Sequence, residues 1–285
     1  RSRSEEGQSD IMVHKANRPT VHDMRAMKAR GEKISMLYVT TLEEAVAADA
    51  AGIHMLSIEG RFFSPEMREA AGRCFVQVGL PYGGWGKFQG EHLATSEDYL
   101  RAAYHFAAMG GDCFYCAASL DIQKVLCDNH IPIVGHVGLI PSTITWTGWR
   151  AVGKTAAEAR AVWDHVKRLE AIGAFGAELE VVPDRLGEMI SRNTPMIMLG
   201  MGAGPGADAQ YLFAEDVLGC TDGHKPRHAK TYRNFAAEHA RLQSERIAAF
   251  REFRADVDSA AYPEARHNVA IPDDDFEAFR SGLGL

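Results

Sequence analysis

The sequence predicts an α/β fold, a (β/α)8 TIM barrel, on three observations. Short apolar runs rich in β-forming residues alternate with Ala- and Glu-rich stretches of helical period. Glycines stand where the helical stretches stop, and roughly seven or eight strand-like runs fit within the chain. Alternation with glycine stops is the signature of parallel βα units, and a strand count near eight favours a closed barrel over an open sheet. No internal repeat is visible.

The elements follow in order. Residues 1–18 are polar and aperiodic and are expected to form a flexible N-terminal arm. From Thr20, the pattern of Val21, Met24 and Met27 predicts a first helix ending at Gly31. Ile34–Val39 reads as a strand, Thr41–Ala51 as a helix, Ile53–Ile58 as a strand and Ser64–Ala71 as a short helix. Cys74–Leu80 is the third strand, and Ser96–Met109 the helix stopped by Gly110-Gly111. Cys113–Ala117, Leu120–Asn129 and Ile131–Val134 give strand four, helix four and strand five. Thr155–Ile172 is the longest helical pattern before the last strands, and Thr155 with Glu158 has the spacing of a capping box. Phe175–Val181, Pro183–Ser191 and Met196–Leu199 supply strand, helix and strand. Gln210–Val217 is read as partly strand, and Tyr232–Val257 as one long or two shorter helices. The barrel with its C-terminal helices is placed at 19–268 and a polar tail at 269–285.

Composition excludes several classes of function. A chain of 285 residues, 46% hydrophobic and 24% charged, can bury one barrel core. A net charge of -7 leaves no basic footprint for nucleic acid. No run approaches the ~18 apolar residues of a membrane span, and the opening RSRSEEGQSD lacks the apolar segment of a signal peptide. A cytoplasmic protein acting on a small molecule is the expectation. The five cysteines, Cys74, Cys113, Cys116, Cys127 and Cys220, read as free buried thiols. Cys113 and Cys116 lack the second pair that a metal site would need.

The stretch Ile131–Gly153 carries the chemistry. Its apolar run Ile131–Val134 leads into Gly135-His136-Val137-Gly138, which puts His136 at the C-terminal mouth of a strand, where such barrels work. There an imidazole can hydrogen-bond a bound oxo group or carboxylate, or simply be a satisfied structural histidine. Glu180 ends the apolar strand LEVVP, and a carboxylate at a partly dry mouth suits a general base. Glu178, two residues earlier on the strand, points the same way. The glycine-rich run GMGAGPGADAQ, Gly200–Gln210, either makes tight turns or presents amides to an anion.

GHVGLIPS, the following GWRAVGKT, LEVVP and GMGAGPGADAQ together resemble ketopantoate hydroxymethyltransferase, from about Pro19 to His267. The resemblance implies a barrel of the phosphoenolpyruvate/pyruvate superfamily type, a tetrahydrofolate-dependent transfer of a one-carbon unit to a 2-oxo acid, and a large homo-oligomer. It implies that Glu180 removes the C3 proton of the oxo acid and that His136 lies near it; Ser142, within GHVGLIPS, is a further substrate-binding candidate. The family holds magnesium through motifs of the type GDS, ADLPF and KIEGG. Here those places read Ile58-Glu59-Gly60, Val78-Gly79-Leu80-Pro81-Tyr82 and Tyr115-Cys116-Ala117-Ala118, so only Glu59 keeps a carboxylate and the family's lysine is Tyr115. Three readings stay open. Glu59 holds magnesium weakly; or Glu59, Glu178, Glu180 and His136 form a different site for Zn, Mn or Fe; or the site works without metal, with Tyr115, Tyr82 and Trp85 lining an aromatic pocket. Aldol or retro-aldol chemistry is the reaction class expected; the alternatives are a related C–C lyase or hydrolase of the same superfamily with a different metal or none, and a catalytically silent binding protein on the same barrel.

Overall fold

A computed structural model describes residues 18–82 and 86–284. Nearly all of the expected N-terminal arm, and Gly83, Gly84 and Trp85 of the expected mouth loop, lie outside the described residues.

Eight parallel strands close into a barrel. They are β1 (Ile34–Tyr38), β2 (Met55–Glu59), β3 (Phe75–Gly79), β4 (Cys113–Tyr115), β5 (Ile133–Gly138), β6 (Gly176–Glu180), β7 (Ile197–Met201) and β8 (Ala209–Phe213). Each pairs with the next, and β8 pairs with β1 from Ile34 opposite Ala209 to Tyr38 opposite Phe213. Helix α1 (Val21–Ala29) precedes β1; α2 (Leu42–Ala50), α3 (Pro65–Ala70), α4 (Ser96–Ala108) and α5 (Leu120–Asp128) follow the first four strands in turn. A 3-10 turn at Pro141–Thr143, the short α6 (Ile144–Thr147) and α7 (Ala156–Ala171) lead from β5 to β6, and α8 (Asp184–Arg192) leads on to β7.

The helices start where the sequence puts threonine before an acid. Thr20, Thr41 and Thr95 form capping boxes with Asp23, Glu44 and Asp98. Thr155 caps α7 through Glu158 N, but the Glu158 carboxylate accepts instead from the amides of Gly153 and Lys154. It thereby ties down the loop that leaves β5.

Alternation along each strand sorts the core into two layers. Leu56, Ile58, Val76, Val78, Phe114, Ile133, Val137, Ala177 and Leu179 face outward and pack beneath the helices. Met36, Met55, Phe75, Val134, Ile197 and Leu199 fill the barrel interior. Cys113 belongs to the inner layer and Cys116 to the outer one, so the pair cannot converge on one metal ion; all five cysteines are free.

Two boundaries differ from the expectation. Strand β5 begins at Ile133 and runs through Gly138, so His136 lies inside the strand and one pleat below its end. The glycines of GHVG have little strand propensity of their own, but in-register pairing of β5 with β6 overrides it. Between β7 and β8 the chain returns without a helix, along the glycine-rich run. Gly204, at φ +80°, brings its backbone against Asp184 at the start of α8, where a Cβ would overlap the aspartate. At Gly204 the run serves a tight turn and a close backbone approach.

After β8 and the five-residue α9 (Ala214–Leu218), the described chain divides into two compact units. The first ends at Arg233 and contains every strand. The second, from Asn234, holds most of the C-terminal stretch that the sequence groups with the barrel: the single long helix α10 (Phe235–Asp258), and within the polar tail α11 (Asp273–Gly282).

Candidate active site

The inward alternation that fills the lower barrel with methionine and phenylalanine changes character towards the C-terminal ends of the strands. There it delivers Ser57 and Glu59 from β2, Gln77 from β3, Tyr115 from β4, His136 from β5, and Glu178 and Glu180 from β6. His136 pairs in register with Glu178, and Gly138 with Glu180, so the imidazole and the two carboxylates arrive on adjacent strands of one wall.

They are in contact. His136 Nε2 lies 3.0 Å from Glu180 Oε2, and Nδ1 lies 3.5 Å from Glu178 Oε2 and 2.8 Å from the Tyr115 hydroxyl. The Nε2 contact is an ion-pair approach that lacks hydrogen-bond alignment. Gln77 Nε2 donates to Glu178 Oε1 at 2.8 Å and to Ser57 Oγ at 3.1 Å. His136 is only 3% exposed, and Gln77 and Glu178 are buried with it.

Burial dominates the electrostatics. It pushes Glu178 up to about 7, against the opposing pull of His136 and Gln77 and with help from the Glu180 charge. Burial would push His136 down, but Glu180 and Glu178 outweigh it and hold the imidazole above its ordinary value. The hydroxyl of Tyr115 is held far above the usual range by burial, with the Glu178 charge next.

The backbone fixes Glu180. Its carbonyl accepts from Leu139 N at 2.9 Å, and Gly138, at φ +90°, passes so close that a Cβ would overlap that carbonyl oxygen. The next residue, Val181, stands at φ +47°, a left-handed conformation that a β-branched side chain resists. Val181 N donating to Met201 O at 2.8 Å, and Val152 N donating to Val181 O at 3.0 Å, hold it there. Strain of this kind gathers at functional sites.

Glu59 is on the rim. Its Oε1 accepts from the Tyr38 hydroxyl at 2.6 Å and from Arg61 Nη2 at 3.2 Å, and its Oε2 sits 2.7 Å from Arg61 Nε. Tyr82 is half-buried, packs edge-on against Tyr115 with ring centroids 5.6 Å apart, and feels the charges of Glu178, Glu180 and Glu59 together. These acids and the two tyrosines therefore share one mouth. His228 stands over Gly202 at the exit of β7, within the field of Glu180; burial lowers its pKa and Glu180 partly restores it.

The donors present do not fit a divalent cation. Both oxygens of Glu59 are taken by Tyr38 and Arg61, and Gly79 and Ala117 offer no ligand atom where the resembled family has carboxylates. Glu178 Oε1 is taken by Gln77 and His136 Nδ1 by Tyr115, and among the described residues no three His, Cys, Asp or Glu side chains are arranged to hold a metal.

Of the candidates named from sequence, Glu180, His136, Glu178, Tyr115, Tyr82 and Glu59 converge on the mouth. Ser142 lies on the 3-10 turn after β5 and makes no side-chain hydrogen bond among the described residues. Sequence reasoning missed Ser57, Gln77, Tyr38, Arg61 and His228. A signal existed for the first two, each a polar residue at an inward position of an otherwise apolar strand, MLSIE and FVQVG.

Comparison with known proteins is consistent over most of the chain. Residues 66–265 match the family described as ketopantoate hydroxymethyltransferase. A 3-methyl-2-oxobutanoate hydroxymethyltransferase of Frankia casuarinae is 32% identical, covering 88% of this chain and 88% of the relative. One from Parabacteroides distasonis is 28% identical, covering 87% and 94%. Among solved structures, the carboxyl transferase domain of Rhizobium etli pyruvate carboxylase with pyruvate superposes with a TM-score of 0.52. It is 11% identical, covers 72% of this chain and 44% of that one, and shares the fold alone.

Proposed function

The chain belongs to the ketopantoate hydroxymethyltransferase family, and from that premise we propose that it is a hydroxymethyl-transfer or aldol-type enzyme acting on a 2-oxo acid, with Glu180 as general base. The observation that carries this reading is the Glu180 carboxylate, partly exposed on the last residue of β6, set 3.0 Å from a buried imidazole.

Glu180 takes the proton from C3 of the oxo acid, and the C–H electron pair becomes the C2=C3 bond of an enolate. The charge then rests on the C2 oxygen. A protonated His136 and the Tyr115 hydroxyl supply the N–H and O–H that lower the energy of that oxyanion in a water-poor site. By family resemblance the one-carbon unit arrives as the methylene adduct of tetrahydrofolate; water hydrolyses its C–N bonds to give tetrahydrofolate and formaldehyde, and the enolate carbon then bonds to the formaldehyde carbon while the C=O π pair moves onto oxygen as the new alkoxide. The proton held by Glu180 returns to the new alkoxide. No step is routed through a metal, because the donor set does not fit one.

The half-buried Tyr82 and buried Tyr115 favour a substrate with an apolar branch next to the reacting carbon. A homo-oligomer is the family expectation, to be read by light scattering. The test of function is to incubate wild-type protein with 3-methyl-2-oxobutanoate and formaldehyde-loaded tetrahydrofolate and to follow the C3 proton and the new hydroxymethyl group by NMR. Loss of the C3 signal with growth of a hydroxymethyl signal is expected. No change at C3 with this or any other branched 2-oxo acid would leave a binding protein on an enzyme's barrel.

A further inference from the structure

Charge balance at the mouth poses a question that the general base does not answer. Glu59 ends β2, Glu178 and Glu180 lie at alternate positions near the end of β6, and all three project inward at the same mouth of the closed barrel; a 2-oxo acid would bring a fourth carboxylate there. Like charges at this range repel strongly in a partly dry cavity. The resembled family places a lysine and a metal there, whereas this chain has Tyr115 and a donor set that fits no cation.

A guanidinium stands at the rim instead. Arg61 sits in the tight turn that leaves β2, where Phe62 N donates to Glu59 O at 2.9 Å and Phe63 N to Gly60 O at 3.3 Å. Its Nε and Nη2 clasp the two oxygens of Glu59 at 2.7 and 3.2 Å, and its central carbon lies 4.6 Å from the centre of the Phe62 ring. Tyr38 braces the same carboxylate at 2.6 Å, and its own ring stacks against Phe213 at 4.7 Å. The guanidinium is held by the Glu59 carboxylate and the Phe62 ring but remains 62% exposed. An arginine has five N–H donors, and the Nη1 edge of this one meets no protein acceptor among the described residues. A planar fork with one edge fixed and one edge open is the geometry that grips a carboxylate by two parallel hydrogen bonds.

We propose that Arg61, aimed by Glu59 and Tyr38, is the substrate-carboxylate site of this barrel and stands in for the fixed positive charge that its relatives draw from a cation. The proposal rests on the oxo-acid reading given above. Glu59 is thereby a positioning residue, not a metal ligand, and the site binds its acid without metal.

The experiment measures equilibrium binding of 3-methyl-2-oxobutanoate by calorimetry to chelator-treated wild type, Arg61→Ala and Arg61→Lys, with the neutral ketone 3-methylbutan-2-one as control. Wild type is expected to bind the acid in chelator, with no gain on adding magnesium. Arg61→Ala should lose about 10- to 100-fold in affinity, and Arg61→Lys should lose less, because it keeps the charge but not the fork. The ketone, which has no carboxylate, should bind all three proteins alike. Equal binding of the acid by wild type and Arg61→Ala would overturn the proposal while leaving the oxo-acid function standing. So would wild-type binding that vanishes in chelator and returns with magnesium. Failure of wild type to bind the acid with or without magnesium would overturn the function and the proposal together.

Discussion

Glu178 is the residue with the clearest pH signature. Its folded value near 7 lies above the ordinary carboxylate value of 4.5, so between those limits the folded protein keeps a proton that the unfolded chain has released. Its contribution is therefore fully present below about pH 4.5 and is lost as the pH rises through about 7. His136, also raised, works in the same direction: its contribution is present below its ordinary value of 6.5 and is lost as the pH climbs through the folded value. Wild type should lose stability relative to Glu178→Gln between pH 5 and 8, on the order of 3 kcal/mol at most for a shift of this size. Parallel thermal denaturation of the two proteins across that range reads the difference, and parallel curves would refute the buried charge cluster. The acids of this cluster could be read from the chain, because ELEVVP, Glu178–Pro183, announces a strand with two carboxylates on one face. Arg61 and Tyr38 could not, since a bidentate grip on Glu59 depends on how β1 and the turn after β2 meet in space.

Strand β5 and its neighbour β6 act as one element. The GHVG segment looks like a loop when judged by propensity, and only the ladder to β6 shows why both of its glycines sit in a strand. Gly138 lets the Glu180 carbonyl approach, and Leu139 N then fixes that carbonyl. Gly138→Ala should destabilise the protein by roughly 2 kcal/mol or more, through left-handed strain added to steric overlap. It should also lower turnover more than it raises KM, because Glu180, the proposed base, is displaced while the mouth persists. A variant with unchanged melting temperature and turnover would show that the close approach does not position Glu180. The glycine-rich run between β7 and β8 illustrates the opposite difficulty. A helix-free crossover is not legible from composition, because glycine serves tight turns and anion cradles equally well.

For the whole molecule, alternation of strand and helix was enough to reach the closed barrel, since that pattern leaves few other parallel arrangements. The polar cluster at its mouth draws on β2, β3, β4, β5 and β6, and such convergence needs the register as well as the order of strands. Every strand lies before Asn234, and no described residue of the second unit is buried. A chain ending at Arg233 is accordingly expected to unfold in one cooperative transition, as followed by circular dichroism; a non-cooperative melt would mean that the barrel depends on the C-terminal helices α10 and α11. The central claim is that Glu180 is the base, and its most direct test is the rate of C3 deuterium exchange in 3-methyl-2-oxobutanoate, measured by NMR in heavy water for wild type and Glu180→Gln side by side. Exchange by wild type and a loss of about 100-fold or more in the variant are expected; equal rates in the two proteins would contradict a general-base role for Glu180.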